Sequence, residues 1–385
     1  MPTSPTAVIG GIDTHKHLHH AAALDTAGRL LGHAGFPTSP AGHAALLDWL
    51  GGHGQLQAVG VEGTGSYGAG LTRFLVGQRV KVVEVNRQNR QDRRARGKTD
   101  PLDAERAARA VLAQTAHATP KAKTGPVEAI RMLRVVRTTA IKARTQAMNA
   151  LHGLVVTAPD QLRADLAGLN GRQLVSCCGQ LEPTPARLVD LLDQPDALML
   201  AAATTALQEL AQRWQYLNHQ IKALDAQLAQ LLPRTAPNLL ALHGIGLEVA
   251  GQLLVTAGGN PDRLTSEAAF ARLCGVAPQP VSSGRTTRHR LSRSGDRAAN
   301  RALYMVVITR MRTDPRTQAY VQRRTNQGRT KREIIRCLIG GLSGRGSWVG
   351  PWLLGERQGM ASLPRRVTAS FSSAAPDAPR PGDRR

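Results

Sequence analysis

Aromatic side chains, cysteine and acid are all scarce in this 385-residue chain. Phe, Trp and Tyr make up 3% of it, there are four cysteines, and 27 Asp and Glu face 50 Lys and Arg. With so few aromatics, base stacking on aromatic platforms is not the expected mode of contact, and backbone contacts are the better expectation. The cysteines, Cys177, Cys178, Cys274 and Cys337, have neither metal-site spacing nor the density of a disulfide framework, which fits a reducing cytoplasm. No apolar run reaches the length of a spanning helix, so no membrane partner is expected. The opening MPTSPTAVIGG does not read as a signal peptide, so none is expected. The shortage of acid leaves a formal charge of +23, spread along the whole length. That surplus points to a polyanion bound through its phosphates in a salt-dependent way.

The first 125 residues carry a clear order of elements. AVIGGID (7–13), HLHHAAALD (17–25) and RLLGHAGF (29–36) read as strands, and SPAGHAALLDWLGG (39–52) as a helix capped by Ser39. LQAVGVE (56–62) is a buried strand ending at Glu62, followed by the turn GTGSYG, a helix through AGLTRFLVG, a strand RVKVVEVN (79–86) and a helix opening at Asp100. An antiparallel meander followed by parallel crossovers is the order of the ribonuclease H-like α/β fold. In that sheet the first and fourth strands are neighbours, so Asp13 and Glu62 would face one crevice, which the helix bearing Asp100 and Asp103 could close.

The stretch leading into that helix is basic, with Arg87, Arg90, Arg93, Arg94, Arg96 and Lys98 preceding the two aspartates. Helix capping accounts for the acids in the simplest way: Asp100 as N-cap, Pro101 at the first helical position, Asp103 complementing the dipole. The sharper reading is chemical. Four converging carboxylates repel one another unless a cation is present, and Mg²⁺ suits an oxygen-rich set. Two such ions about 4 Å apart can stabilise the attacking and leaving oxygens of a phosphodiester displacement. Arg93, Arg94, Arg96 and Lys98 would then hold DNA phosphates. HKHLHH places His15, His17 and His19 on one face of a strand, but nothing completes a zinc ligand set.

GIDTHK, VEGTGSYG and KTDPLDAERAARA resemble the N-terminal domain of the DEDD transposases of the IS110 insertion-sequence family, whose catalytic domain is similar to the RuvC resolvase. The resemblance implies a metal-binding catalytic set of Asp13, Glu62, Asp100 and Asp103. ARLCGVAPQPVSSGRTTRHRLSRSGDRAANRALYMVVITRM (271–311) resembles the C-terminal domain of the same family. It implies that Ser283, before Gly284, is the nucleophile on DNA, with Ser282 the less favoured neighbour. Arg285, Arg288, Arg290 and Arg293 surround it, charge partners for a phosphoryl-transfer transition state.

Between these domains the apolar residues Leu207, Leu210, Trp214, Leu217, Ile221, Leu224, Leu228 and Leu231 step by threes and fours. That is a coiled-coil repeat, and dimerisation is its sharper reading over packing within one subunit. An amphipathic helix near 126–155 precedes it, and 156–197 reads as an irregular connector. Gly244 and Gly246 around Ile245 suggest a helix-hairpin-helix whose backbone N–H groups reach a phosphate.

The expected organisation is a RuvC-like domain (1–125), a helical coiled-coil extension (126–235), a mainly α C-terminal domain (236–339) and a disordered or frameshift-altered tail (340–385), where Gly, Ser, Pro and Arg dominate. The resemblance implies a transposase, cytoplasmic and nucleoid-associated in a bacterium. It would be a dimer or tetramer that cuts and rejoins element ends and target DNA under the guidance of a non-coding bridge RNA. The alternatives are a site-specific invertase of the same family and a degenerate copy that binds nucleic acid without cutting it.

Overall fold

The computed structural model describes residues 7–86, 99–183, 186–281, 289–292 and 294–342. Its N-terminal part contains β1 (Ala7–Thr14), β2 (Leu18–Asp25), β3 (Leu30–Pro37), α1 (Pro40–Gly52), β4 (Gln55–Glu62), α2 (Ala69–Gly77), β5 (Val82–Val85) and α3 (Asp100–Leu112). The strands form one sheet in the order β3-β2-β1-β4-β5. The β1–β2 and β2–β3 pairs are antiparallel, whereas β1–β4 and β4–β5 are parallel. This mixed sheet with helices on both faces fits a ribonuclease H-like domain.

Alternation along the strands divides the sheet into two different faces. Val8, Ile12, Ala21, Ala23, Val59 and Val61 pack against Leu46 and Leu50 of α1 and Leu71 and Leu75 of α2. Each of those four leucines is fully buried, worth roughly 1.5–3 kcal/mol apiece. Ile9, Leu24 and Ala58 point the other way, onto Ala108 of α3. That second face is lined by small residues, and α3 lies very close upon it. A Cβ at Gly11 would meet the Ala104 carbonyl oxygen at 2.1 Å, and one at Gly60 the Ala107 carbonyl oxygen at 2.6 Å.

The middle of the chain is helical: α4 (Gly125–Thr157), α5 (Asp160–Leu166), α6 (Gly171–Gly179), a 3₁₀ turn (Leu188–Leu191) and α7 (Pro195–Thr235). The stretch read as an irregular connector therefore holds two short helices. Leu162, Leu166, Leu174 and Val175 bury themselves against Leu151, Leu207 and Ala211. At the opposite end Ile130 packs with Leu228 and Leu232, so α4 and α7 run antiparallel. The heptad-like stripe of α7 thus turns Leu207 and Leu228 towards a helix of its own chain.

The C-terminal part is mostly helical, with α8 (Pro237–Leu240), α9 (Leu247–Ala257), α10 (Glu267–Leu273), α11 (Arg297–Thr313), α12 (Pro315–Asn326) and α13 (Lys331–Leu342). A small antiparallel pair, β6 (Pro278–Pro280) and β7 (His289–Leu291), lies between α10 and α11. Phe270, Leu253, Leu303 and Val306 form the centre of the core between these C-terminal helices. Most of the segment expected to be a disordered tail, from 343 onward, lies outside the described residues. No helix among the described residues is long and apolar enough to cross a membrane.

Candidate active site

Sheet register places the first two acids. β1 and β4 are parallel, and Ile12 pairs with Val61, so Asp13 and Glu62 follow at adjacent strand ends. Each comes two residues after a glycine on the α3 face, Gly11 and Gly60. Both carboxylates are buried, and the Thr14 hydroxyl fixes the two strand ends together by donating to the Glu62 carbonyl at 2.8 Å.

Helix α3 brings the other two acids. Its N-cap is Thr99 and not Asp100, which is already the first helical residue. Extended backbone at Thr99, with Pro101 fixed in the first turn, starts the helix one residue earlier than the capping reading expects. The Asp100 carboxylate is therefore turned to the sheet, with Oδ1 3.4 Å from His15 Nε2 and Oδ2 3.4 Å from His20 Nε2. Asp103 is buried and accepts from Arg106 Nη1 at 3.0 Å.

The four acids fall into two pairs. Asp13 Oδ2 lies 3.0 Å from His15 Nε2, and one donor atom each of Asp13, His15 and Asp100 lies within 4.8 Å of the others. Glu62 and Asp103 line a shared cleft with Glu84, Arg106 and His117. Glu84 accepts from the Thr64 hydroxyl at 2.7 Å. Carboxylates and an imidazole at this spacing suit a divalent cation, which when bound supplies positive charge for a phosphoryl oxygen.

His15 and His20 are the residues that reading the sequence for acids passes over. The available signal was hairpin register, since Asp13 sits opposite His20 in the β1–β2 ladder. The supposed histidine face does not form. β1 ends at Thr14 and β2 begins at Leu18, so the reversal between them breaks the alternation. His15 joins the acids, while His19 is wholly buried on the other face, stacked on His43 of α1 with ring centroids 5.6 Å apart. Burial, then the neighbouring His43 and His15, pushes the His19 imidazole down to about 4.

The remaining candidates lie elsewhere. Arg93, Arg94, Arg96, Lys98, Ser283, Arg285, Arg288 and Arg293 fall outside the described residues. Arg290, on β7, is exposed and paired with Gln279. Gly244 has φ of +82°, and Arg310 of α11 donates to the adjacent His243 carbonyl at 2.8 Å. Gly246 is the N-cap of α9 and has open space beside it. The helix before this turn, α8, is a single turn of four residues.

Comparison with known proteins bears on the same regions. A family model for the DEDD transposases of IS110, described as Transposase, matches residues 10–158, and one described as Transposase IS116/IS110/IS902 family matches 236–322. The chain belongs to the IS110 family of DEDD transposases. Among relatives, it is 30% identical over 154 residues to the insertion element IS110 uncharacterized 43.6 kDa protein of Streptomyces coelicolor. It is 28% identical over 139 residues to the insertion element IS900 uncharacterized 42 kDa protein of Mycobacterium paratuberculosis. The chain spans 38% of the first relative and 35% of the second, and the same shares of its own length are covered. The first family match contains all four acids, and the second contains Ser283 and Gly244.

Proposed function

We propose that the protein is a DNA transposase that cuts and rejoins the ends of its insertion sequence. One observation carries the reading: Asp13 and Glu62 end adjacent parallel strands on the face where α3 delivers Asp100 and Asp103. Asp13, Glu62, Asp100 and Asp103 are the metal ligands and catalytic acids, holding Mg²⁺, two ions in the full site. Ser283 is the nucleophile. Its Oγ forms a bond to phosphorus as the phosphodiester's bond to one deoxyribose oxygen breaks, and that oxygen takes up a proton. A second strand end then displaces the serine, so the number of phosphodiesters is unchanged.

The basic run holds the DNA backbone through Arg93, Arg94, Arg96 and Lys98, and Arg285, Arg288, Arg290 and Arg293 do the same around the serine. The N–H groups near Gly244 and Gly246 contribute non-sequence-specific phosphate contacts, in the manner of a helix-hairpin-helix. Sequence choice is delegated to a bridge RNA, in keeping with a chain so basic and so poor in aromatics. The working form is a homo-oligomer.

A covalent trapping assay tests this reading. Full-length protein, Mg²⁺, element-end DNA and the flanking transcript are incubated and resolved on a denaturing gel beside Ser283→Ala and Asp100→Asn. A DNA-linked protein band is expected only for the unmutated chain. Metal-dependent nicking that survives Ser283→Ala would remove the serine from the mechanism.

A further inference from the structure

We infer that His15 is itself a ligand of the divalent cation, beside Asp13 and Asp100, which makes the centre a mixed nitrogen–oxygen site that accepts Mg²⁺ but binds a first-row transition ion more tightly. The inference rests on the catalytic reading above and adds a residue outside the four acids.

The geometry of His15 leads there. Its Nε2 faces two carboxylates at once, 3.0 Å from Asp13 Oδ2 and 3.4 Å from Asp100 Oδ1. Adjacent ligands of an octahedral ion with bonds of 2.0–2.1 Å stand about 3 Å apart. Nε2 thus stands from each oxygen at close to the separation of neighbouring corners of one coordination shell, and all three residues offer donor atoms within 4.8 Å of one another. An imidazole that has lost its Nε2 proton presents a lone pair between two anionic oxygens, where a cation replaces the proton as the shared partner. His15 and Asp100 are each 40% exposed and Asp13 10%, so the set is backed by the sheet and open on one side to water or a phosphate oxygen.

His20 provides an internal contrast. Its Nε2 lies 3.4 Å from Asp100 Oδ2, and that aspartate is its carboxylate partner among the described residues. It orients Asp100 from outside the group, whereas His15 bridges both acids. Imidazole raises affinity for transition ions far more than for Mg²⁺, which prefers oxygen. A rival role for His15 is an imidazolium that clamps the two acids and leaves when metal arrives. That role predicts a metal shell made of oxygen alone.

The two are separated by adding Mn²⁺ to the full-length protein and recording pulsed electron paramagnetic resonance, together with Mn²⁺ and Mg²⁺ titrations. The expected result is ¹⁴N coupling from a coordinated imidazole and Mn²⁺ binding at least tenfold tighter than Mg²⁺. His15→Gln should abolish the coupling and weaken Mn²⁺ binding about tenfold while changing Mg²⁺ binding far less. His17→Gln and His20→Gln should keep the coupling, which assigns the nitrogen even if His15→Gln folds poorly. Mn²⁺ bound in an Asp13-dependent manner without nitrogen coupling would overturn the inference and leave the carboxylate site standing. No Mn²⁺ binding at all would overturn both.

Discussion

Gly11 lies so close to Ala104 that the Cβ of any larger residue would sit 2.1 Å from the Ala104 carbonyl oxygen and 2.3 Å from the Ala108 nitrogen. Both clashes are with helix backbone, which cannot swing away as a side-chain end can. Gly11→Ala must therefore lift α3 from the sheet, and with it Asp100 and Asp103. The expected cost is about 3 kcal/mol, at the upper end for overpacked cores, with cleavage lost even in molecules that remain folded. Thermal melts and strand-cleavage assays check this against Gly51→Ala, where no atom lies within 4 Å and better helix propensity should raise stability slightly. Equal melts for Gly11→Ala and the unmutated chain would refute the close docking of α3.

The two aspartates of α3 separate structure from chemistry. Asp100 does not cap its helix, and its carboxylate is 40% exposed, so Asp100→Asn should change stability by less than about 0.5 kcal/mol while removing metal-dependent cleavage. Asp103 is buried and receives Arg106, so Asp103→Asn should cost about 1–3 kcal/mol besides its effect on cleavage. Chemical denaturation of the two variants side by side decides the point. Equal destabilisation by both would mean that Asp100 has the structural role of a cap after all.

Much of this arrangement was legible before any coordinates. The apolar alternation of 7–13 and 56–62, each closing on an acid, was enough to put Asp13 and Glu62 on neighbouring strands. Periodicity says which face of an element is apolar but not what covers it. The stripe at Leu207–Leu231 therefore read as an interface between subunits, whereas Leu207 and Leu228 meet α4 of the same chain. Gly11 and Gly60 carried no signal because a glycine that admits a helix looks, in sequence, like any weak strand residue. His15 was obscured by its company in HKHLHH, because a reversal of three residues sends neighbouring histidines to opposite sides of a sheet.

Acid should act on the fold through His19. Its ring is fully buried, and neither nitrogen has a hydrogen-bond partner among the described residues. Its folded-state value of about 4 lies below the ordinary 6.5, so the unfolded chain binds more protons between those limits. Stability contributed by the neutral ring is full above about 6.5, falls as pH drops through the window, and is gone below about 4. The linked loss is on the order of 2–3 kcal/mol. His19→Leu should flatten this part of the profile, measured by urea midpoints from pH 7 to pH 4. An unchanged slope would assign the acid sensitivity to other groups.

Arg134 joins the long helical spacer to the C-terminal helices. Though buried on α4, its guanidinium donates to the Glu248 carboxylate at 2.8 Å, the Glu248 carbonyl at 3.0 Å and the Gln252 side chain at 3.1 Å, all on α9. Gly251 makes room, since a Cβ there would stand 3.1 Å from Arg134 Nη1. Arg137 reinforces the junction by bridging Glu248 and Asp225 of α7. Arg134→Ala removes both the planar fork and the packed stem, at an expected cost of about 2–4 kcal/mol, and Arg134→Lys should restore only a minor part of it. Arg134 is the more buried of the two α4 arginines that hold Glu248, so its loss should let the C-terminal helices unfold separately. Calorimetry would then resolve two transitions in place of one, and protease would cut faster between α8 and α9. A single, uniformly lowered transition would show instead that the apolar contacts of Ile130, Leu228 and Leu232 with Leu240, Leu254 and Val255 suffice to hold the two parts as one cooperative unit.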